Sequence, residues 1–159
     1  MIRRATAADL PAVVALTNAA YAAYDGLLDA PALPVTEDYT PRIAAGEVWL
    51  LAADDAPPVG GPEGVIVLET HADHLLIFSV AVAPDRQHGG VGQNLLAWAE
   101  QQARTLGRDR LRLYTNAKMT RNLALYARVG YLETGRRSNP HRPGWVAVDM
   151  EKRLDGAAA

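Results

Sequence analysis

The sequence predicts an α/β (α+β) fold in which about seven strands form a mixed, mostly antiparallel sheet and about four helices cover its faces. Three observations support this class. Short apolar or alternating runs have strand length, other segments repeat apolar residues at helical spacing, and turn residues separate the two kinds of segment. The 159 residues suit one domain at 1–154, with a tail at 155–159 that is expected to be frayed.

The N-terminal part of the chain predicts a strand and two helices. Residues 2–5 have the length of a short strand. Thr6 and Asp9 then match a capping pattern for a helix that continues to about Ala23, with a hydroxyl at the N-cap and an acid three residues later. Glycine and proline residues interrupt the next segment, and a second short helix is expected over 36–45.

The middle of the chain predicts an antiparallel meander followed by a crossover. Strands are expected at 47–53, 64–70 and 74–83, with short connections between them. A helix with one apolar face is expected at 93–106, before an alternating strand at 110–115. A strand, a helix and a strand within about 40 residues form a right-handed crossover, so the two strands that flank this helix should run parallel.

The C-terminal part predicts one helix and a final pair of strands. The helix is expected at 121–129, with Thr120 as its cap and a glycine after its end. The strands are expected at 131–137 and 145–153, and the proline-containing segment 138–144 is expected to be a loop.

Composition and charge exclude several classes of function. The net charge is −2 and the pI about 6.1, which argues against a general nucleic-acid or anionic-membrane binder. No apolar run approaches the roughly 18 residues of a membrane-spanning helix, and no signal peptide is recognised, so the cytoplasm is the expected compartment. The chain has no cysteine and its four histidines lack metal-binding spacing, so no metal site is predicted.

The junction between the strand at 74–83 and the helix at 93–106 carries the strongest functional signal. The apolar strand ends at Pro84, three glycines follow, and the helical pattern then begins. The first N–H groups of a helix have no internal partner, the helix dipole is positive there, and glycines let a ligand approach the backbone. We therefore predict a phosphate bound by the N–H groups of residues 87–92. The alternative is a glycine-rich connection that binds nothing.

Two common phosphate-binding fingerprints do not fit this loop. The Rossmann pattern requires a third glycine where the chain has Leu95, and an acid after the next strand that is missing here. The Walker A pattern requires Lys and then Ser or Thr where the chain has Gln93 and Asn94. The pattern that remains at 87–92 is Q-x-x-G-x-G.

A second motif follows in the helix at 121–129. Asn122 and Tyr126 are four residues apart and therefore share a helix face, where a tyrosine is either a core aromatic or a functional group. The segment 122–131 reads N-x-x-L-Y-x-x-x-G-Y. The two motifs in this order resemble the GNAT superfamily of N-acetyltransferases, which use acetyl-CoA.

The resemblance implies a site for each part of acetyl-CoA. The glycine loop would hold the pyrophosphate, and the strand end before it would pair with the pantetheine where it splays from its parallel neighbour. A backbone N–H near Val82 would bind the acetyl oxygen. The implied acetyl-CoA-binding residues are Val80, Ala81, Val82, Gln87, His88, Gly89, Gly90, Val91, Gly92 and Asn122.

The implied reaction is direct attack of an amine on the thioester. Tyr126 would protonate the thiolate leaving group. Glu69, the nearest acid on the neighbouring strand, would act as a base through a water chain; the alternative is that it is a surface acid. Related loops often carry Arg or Lys where this chain has Gly89, and we expect Arg86 or Arg121 to supply that charge.

We therefore expect an N-acetyltransferase that moves the acetyl group of acetyl-CoA to a primary amine of a small molecule, amino acid or peptide. An acyl-CoA-binding sensor or regulatory module without turnover is the alternative from another class. Acceptor contacts are expected from residues 21–46 and 136–144. A homodimer is common in folds of this kind, but the sequence does not indicate the oligomeric state.

Overall fold

A computed structural model of the chain describes residues 1–28, 31–52 and 61–154. Its strands are β1 (Ile2–Arg4), β2 (Val48–Leu51), β3 (Gly64–Thr70), β4 (Leu75–Val82), β5 (Arg110–Asn116), β6 (Leu132–Asn139) and β7 (Arg142–Arg153). Its helices are α1 (Leu10–Tyr21), α2 (Leu33–Thr36), α3 (Thr40–Ala44), α4 (Val91–Thr105) and α5 (Thr120–Arg128). The predicted turn around 54–62 lies largely, and the predicted tail entirely, outside the described residues. No helix in the described part has the length and apolar character that crossing a membrane requires.

The described strands form one sheet in the order β1-β2-β3-β4-β5-β7-β6, which confirms the predicted mixed α/β class. The first four strands are antiparallel neighbours, as the meander required. β4 and β5 are parallel, as the crossover required, but they pair only from Leu75↔Leu111 to Ile77↔Leu113. Beyond these pairs the two strands continue without pairing, so they splay apart toward their carboxyl ends.

A β-bulge explains where the splay begins. Val67 on β3 pairs with Ser79, whereas the next residue, Leu68, pairs with Ile77, so Phe78 is an extra residue in β4. A bulge bends its strand and reverses which residues face each side of the sheet. The last β4 pair with β5 is at Ile77, immediately before the extra residue. The bend therefore separates the two parallel strands.

Each face of the sheet carries its own core. On one face, α4 packs four fully buried apolar residues against the strands: Leu95, Leu96, Ala99 and Ala103. On the other face, α1 contributes Val13 and Leu16, which pack with Val65 and Val67 of β3. The helical spacing of these residues is the reason that the sequence identified both helices.

Three predicted helix boundaries need correction. The helix expected at 36–45 is present but begins four residues later, as α3, and a separate short helix, α2, ends at Thr36. Each of the two has a proline in its first turn. α4 begins at Val91, two residues earlier than predicted, because Gly90 adopts the left-handed N-cap conformation. Met119, not Thr120, is the N-cap of α5. The Thr6 and Asp9 pattern is confirmed, since the Thr6 N–H donates to Asp9 Oδ2 at 2.7 Å ahead of α1.

The predicted loop at 138–144 is also wrong. β6 and β7 continue into this segment and form a tight hairpin that is closed by the pair Asn139↔Arg142. Asn139 stabilises the turn, because its Oδ1 accepts a hydrogen bond from the His141 N–H at 2.9 Å. Two turn residues are enough, so the prolines did not require a long loop.

Candidate active site

The end of β4 presents backbone groups to the gap between the splayed strands. The Ala83 N–H donates to the Glu63 carbonyl at 2.9 Å, so Ala83 faces β3. Alternation along the strand then turns the N–H and C=O groups of Val80 and Val82 toward β5, which no longer pairs with them. Gln87 Nε2 donates to the Val82 carbonyl from this side at 3.4 Å. An extended ligand with amide groups can pair along this edge.

The glycine loop exposes a run of backbone donors at the start of α4. His88 and Gly90 both have positive φ, at 71° and 85°, so the chain turns sharply before the helix. In the described ranges, the N–H groups of residues 88–93 donate to no backbone carbonyl. The dipole of the 15-residue helix adds partial positive charge at the same point. The loop therefore has the backbone geometry of an anion site.

Two of the loop glycines have different structural roles. A Cβ on Gly92 would lie 3.2 Å from Leu125 Cδ2, so this glycine lets the start of α4 pack closely on α5. Gly89 has neither a positive φ nor a close neighbour, since the nearest atom to an added Cβ is the Arg86 carbonyl at 3.5 Å. The chain can therefore carry a side chain at position 89.

A cavity of about 420 Å³ lies between the loop, α5 and the end of α1. Nine of the residues predicted to form the site line it: Val80, Val82, Gln87, His88, Gly90, Val91, Gly92, Asn122 and Tyr126. Three predicted residues do not: Ala81, Gly89 and Glu69. Ala81 points to the opposite face and packs in the core beneath α1, and Gly89 lies outside the lining. We call this cavity the first cavity.

The first cavity is positively charged. Arg86, Arg121 and Arg128 line it, and its described lining residues include no aspartate or glutamate. Arg86 and Arg121 are the two residues that were expected to supply the positive charge absent at Gly89, and both line the cavity. Arg86 also forms an ion pair with Glu63 at 3.5 Å. Three cations and a set of unpaired N–H groups favour a ligand that carries several negative charges.

The functional face of α5 points into this cavity. Asn122 Oδ1 accepts a hydrogen bond of 3.4 Å from the Tyr24 hydroxyl, which links α5 to the end of the α1 segment. Tyr126 is 5% exposed and packs edge to face against Tyr131 at 6.0 Å. Burial raises the pKa of Tyr126 well above its usual value, and its hydroxyl bonds to none of the described residues. The phenol therefore stays protonated and keeps its proton available for a ligand.

A second cavity, of about 30 Å³, lies on the other side of the gap between β4 and β5. Its walls are mostly aromatic and aliphatic, from Tyr21, Ile77, Phe78, Tyr114, Met119 and Trp145, among others. Tyr21 and Tyr126 line both cavities, so these two side chains stand where the cavities meet. We call it the second cavity.

The junction also contains a buried serine. Ser79 is 4% exposed, lines the second cavity, and its hydroxyl has no hydrogen-bond partner of regular geometry among the described residues. Burial raises the pKa of Tyr21 to about 12, although the nearby Ser79 hydroxyl partly opposes that rise. Both hydroxyls are therefore neutral near pH 7.

Glu69 lies apart from this junction. Its Oε2 accepts a hydrogen bond from Arg42 Nη1 at 3.1 Å, and its Oε1 lies 2.8 Å from His71 Nε2. Glu69 lines neither cavity. The structure thus brings together the predicted loop, Asn122 and Tyr126, but not the predicted base.

Sequence reasoning missed one wall of the first cavity. The end of α1 and the turn after it contribute Ala20, Tyr21, Ala23 and Tyr24. Apolar spacing indicated which side of α1 is buried, but it does not indicate which end of the helix reaches α5. The two tyrosines close together were the only signal available. The second cavity does draw on the expected acceptor segment, through Tyr21 and residues 32–34.

The family model of the acetyltransferase (GNAT) family matches residues 13–131. This range is well over half of the chain and includes β4, the glycine loop, α4 and α5. The chain belongs to the GNAT acetyltransferase family.

Individual members of the family that resemble this chain share 30% or less of its sequence. The IAA acetyltransferase of Azospirillum brasilense is 30% identical over 91 residues, which are 57% of this chain and 59% of that protein. The PaiA N-acetyltransferase of Thermoplasma acidophilum, solved in complex with coenzyme A, superposes with a TM-score of 0.76 at 18% identity, over 97% of this chain and 98% of that one. The N-acetylglutamate synthase of Neisseria gonorrhoeae, solved with coenzyme A and N-acetyl-glutamate, is 26% identical with a TM-score of 0.71, over 97% of this chain and 35% of that one.

Proposed function

We propose that this chain, as one domain over residues 1–154, transfers the acetyl group of acetyl-CoA directly to a primary amine. One observation carries the proposal: a large cationic cavity and a small apolar cavity meet at the buried hydroxyl of Tyr126. A reaction between a polyanionic donor and a neutral nucleophile needs two such compartments and a proton donor between them.

Acetyl-CoA fits the first cavity part by part. Its pyrophosphate takes the unpaired N–H groups of residues 88–93, with Arg121 and Arg128 nearby to balance its charge. Its pantetheine amides pair with the free edge of β4 at Val80 and Val82. This leaves the thioester at the junction where Tyr126 stands.

The chemistry follows from those positions. The amine nitrogen forms a bond to the acetyl carbon, and charge develops on the acetyl oxygen, which accepts a hydrogen bond from a β4 N–H near Val82. The carbon–sulfur bond then breaks, and Tyr126 donates its proton to the leaving thiolate. The proton that the nitrogen loses returns to the Tyr126 hydroxyl, so in sum the nitrogen loses one proton and the sulfur gains one.

Glu69 as the base at the end of a water chain stays a prediction. It pairs with Arg42, lies 2.8 Å from His71 Nε2 and lines neither cavity, so solvent has to bridge the distance. A Glu69→Gln variant tests it: loss of kcat with unchanged acetyl-CoA affinity would support the role, and unchanged kcat would exclude it.

The first experiment is calorimetric titration with acetyl-CoA, with NAD and ATP as controls. We expect micromolar binding of acetyl-CoA alone, and weaker binding to Arg121→Gln but not to Arg104→Gln, which changes the same residue type at the far end of α4. Release of free thiol in the presence of amines then separates an enzyme from an acyl-CoA sensor. Equal or better binding of NAD or ATP would refute the proposal.

A further inference from the structure

The second cavity carries information about the acceptor. Resting on the function proposed above, we infer that the acceptor is the N-terminal α-amine of a peptide with a small, uncharged first residue, and that Arg142 favours an acidic side chain just behind it. Four observations support this inference: the size of the cavity, the lack of charge in its described lining, the buried serine in its wall and the charge at its rim.

The cavity is too small for a bulky first side chain. Its volume of about 30 Å³ is enough for one or two waters, which matches an amine and a methyl group but not a ring. Its walls do not yield easily, because Ile77 is 2% exposed and Met119 is 2% exposed. Glycine, alanine or serine at the first position fits this space.

No charged group lines the second cavity among the described residues. An ammonium ion therefore finds no counterion there, and the amine has to arrive neutral. At pH 7.5 about a third of peptide α-amines are neutral, since their pKa is about 7.8, whereas about one lysine side chain in 800 is neutral, since its pKa is about 10.4. A site without an adjacent base thus favours the α-amine over lysine side chains and polyamines.

Ser79 supplies the polar contact that such an amine needs. Its hydroxyl is buried, lines the cavity and has no partner of regular geometry in the described ranges. A serine oxygen has two lone pairs, so Ser79 can accept a neutral amine N–H even with the Tyr21 hydroxyl nearby. The hydroxyl accepts a proton-bearing N–H and leaves the nitrogen lone pair free to attack the acetyl carbon.

Three aromatic residues in the wall of the cavity each have an arginine guanidinium above the ring. The distances from guanidinium carbon to ring centroid are 4.0 Å for Arg42 over Phe78, 5.4 Å for Arg137 over Tyr114 and 5.4 Å for Arg142 over Trp145. Arg42 pairs with three glutamates and Arg137 with one aspartate. Within the described ranges Arg142 has no acidic partner; its Nη2 donates to the Pro31 carbonyl at 2.5 Å.

Among the residues that the structure describes, no acidic group offsets the charge of Arg142 beside Trp145 at the rim of the cavity. Its other N–H donors bond to none of these residues and can take a carboxylate. An extended peptide advances about 3.3 Å per residue, and the inference places its second or third side chain behind the amine at the guanidinium above Trp145. The rim thus favours an acidic side chain there and repels a basic one.

The test compares matched peptides with acetyl-CoA held at saturation. The substrates are Ala-Leu-Glu-Leu amide, its Ala-Leu-Lys-Leu and Phe-Leu-Glu-Leu counterparts, an N-terminally blocked lysine peptide, and spermidine. We expect the first peptide to exceed the blocked lysine peptide and spermidine by about 270-fold in kcat/KM at pH 7.5, following the neutral fractions of an α-amine and a lysine-type amine. The glutamate peptide should exceed its lysine counterpart about fivefold, and the phenylalanine peptide should be the poorer substrate.

Arg142→Gln is the decisive variant, with Arg136→Gln as an exposed control on β6. Arg142→Gln should raise KM for the glutamate peptide about fivefold, leave kcat within twofold and abolish the preference over the lysine counterpart. A preference for spermidine or for lysine side chains, or an unchanged preference in Arg142→Gln, would overturn the inference while leaving acetyl transfer intact. Failure of the protein to bind acetyl-CoA would instead overturn the proposed function itself.

Discussion

Replacement of Tyr126 by Phe isolates the proposed proton donor. The ring keeps its edge-to-face contact with Tyr131, and only a hydroxyl that bonds to none of the described residues is removed. A hydrogen bond to a charged group is worth about 1.5–3 kcal/mol, so loss of the bond to the developing thiolate should lower kcat about 10- to 150-fold. Acetyl-CoA affinity should change less than twofold, because the phosphate contacts lie elsewhere.

The assay is thiol release under saturating acetyl-CoA, with calorimetry for binding and urea unfolding for stability. Tyr131→Phe is the matched control, since Tyr131 is 2% exposed, belongs to the same aromatic pair and has a buried hydroxyl that bonds to nothing in the described ranges. It should keep full kcat. Because burial raises the pKa of Tyr126 above 10, the wild-type rate should also show no loss from phenol ionisation up to about pH 9. A Tyr126→Phe enzyme with wild-type kcat would refute the role.

Three further predictions concern the loop, the packing beneath it and the N-terminus. Gly89→Arg should tighten acetyl-CoA binding about two- to fivefold at low salt and lose that gain at high salt. The reason is that position 89 has room for a side chain beside the phosphate site. Unchanged affinity by calorimetry at low salt would contradict the anion site. Gly64→Ala should destabilise the fold by about 1–2 kcal/mol in urea unfolding, since its Cβ would lie 2.8 Å from the buried Leu95 Cδ1; wild-type stability would show that α4 yields freely. Asp9→Asn should cost about 1 kcal/mol at pH 7, because Asp9 pairs with Arg3 and the Thr6 N–H, and its pKa is lowered on folding. A carboxylate whose pKa is lowered on folding contributes stability that is full above about pH 4 and is lost as the pH falls further. The difference in free energy of unfolding between variant and wild type should therefore shrink in acid. A difference that stays constant with pH would argue against the pairing.

Local pattern was sufficient for most elements of the fold. The alternation in β5, the helical spacing of α4 and the short connections among β2, β3 and β4 are properties of neighbouring residues, so the sequence displays them directly. Pro34 was interpreted as a break and Pro41 was placed inside the helix expected at 36–45, whereas each stands in the first turn of a short helix. Whether a proline breaks or starts a helix depends on the residues around it. The hairpin at 139–142 was missed because cross-strand pairing, not local propensity, extends β6 and β7.

By itself, the sequence determined the order of the elements, the parallel pair and the glycine loop at the start of a helix. The elements and the loop depend on neighbouring residues, and the parallel pair follows from one crossover of about 40 residues. Only the tertiary structure decided which groups meet. The extra residue Phe78 bends β4 away from β5 and exchanges the two faces of the sheet for the side chains that follow it. The alternation of apolar and polar residues along the sequence does not reveal this exchange. That reversal turns Val80 and Val82 toward the first cavity and Ala81 into the core. Packing of α1 against the sheet brings Tyr21 beside Tyr126, which lies 105 residues later in the sequence, since burial of apolar surface and not sequence proximity sets such contacts.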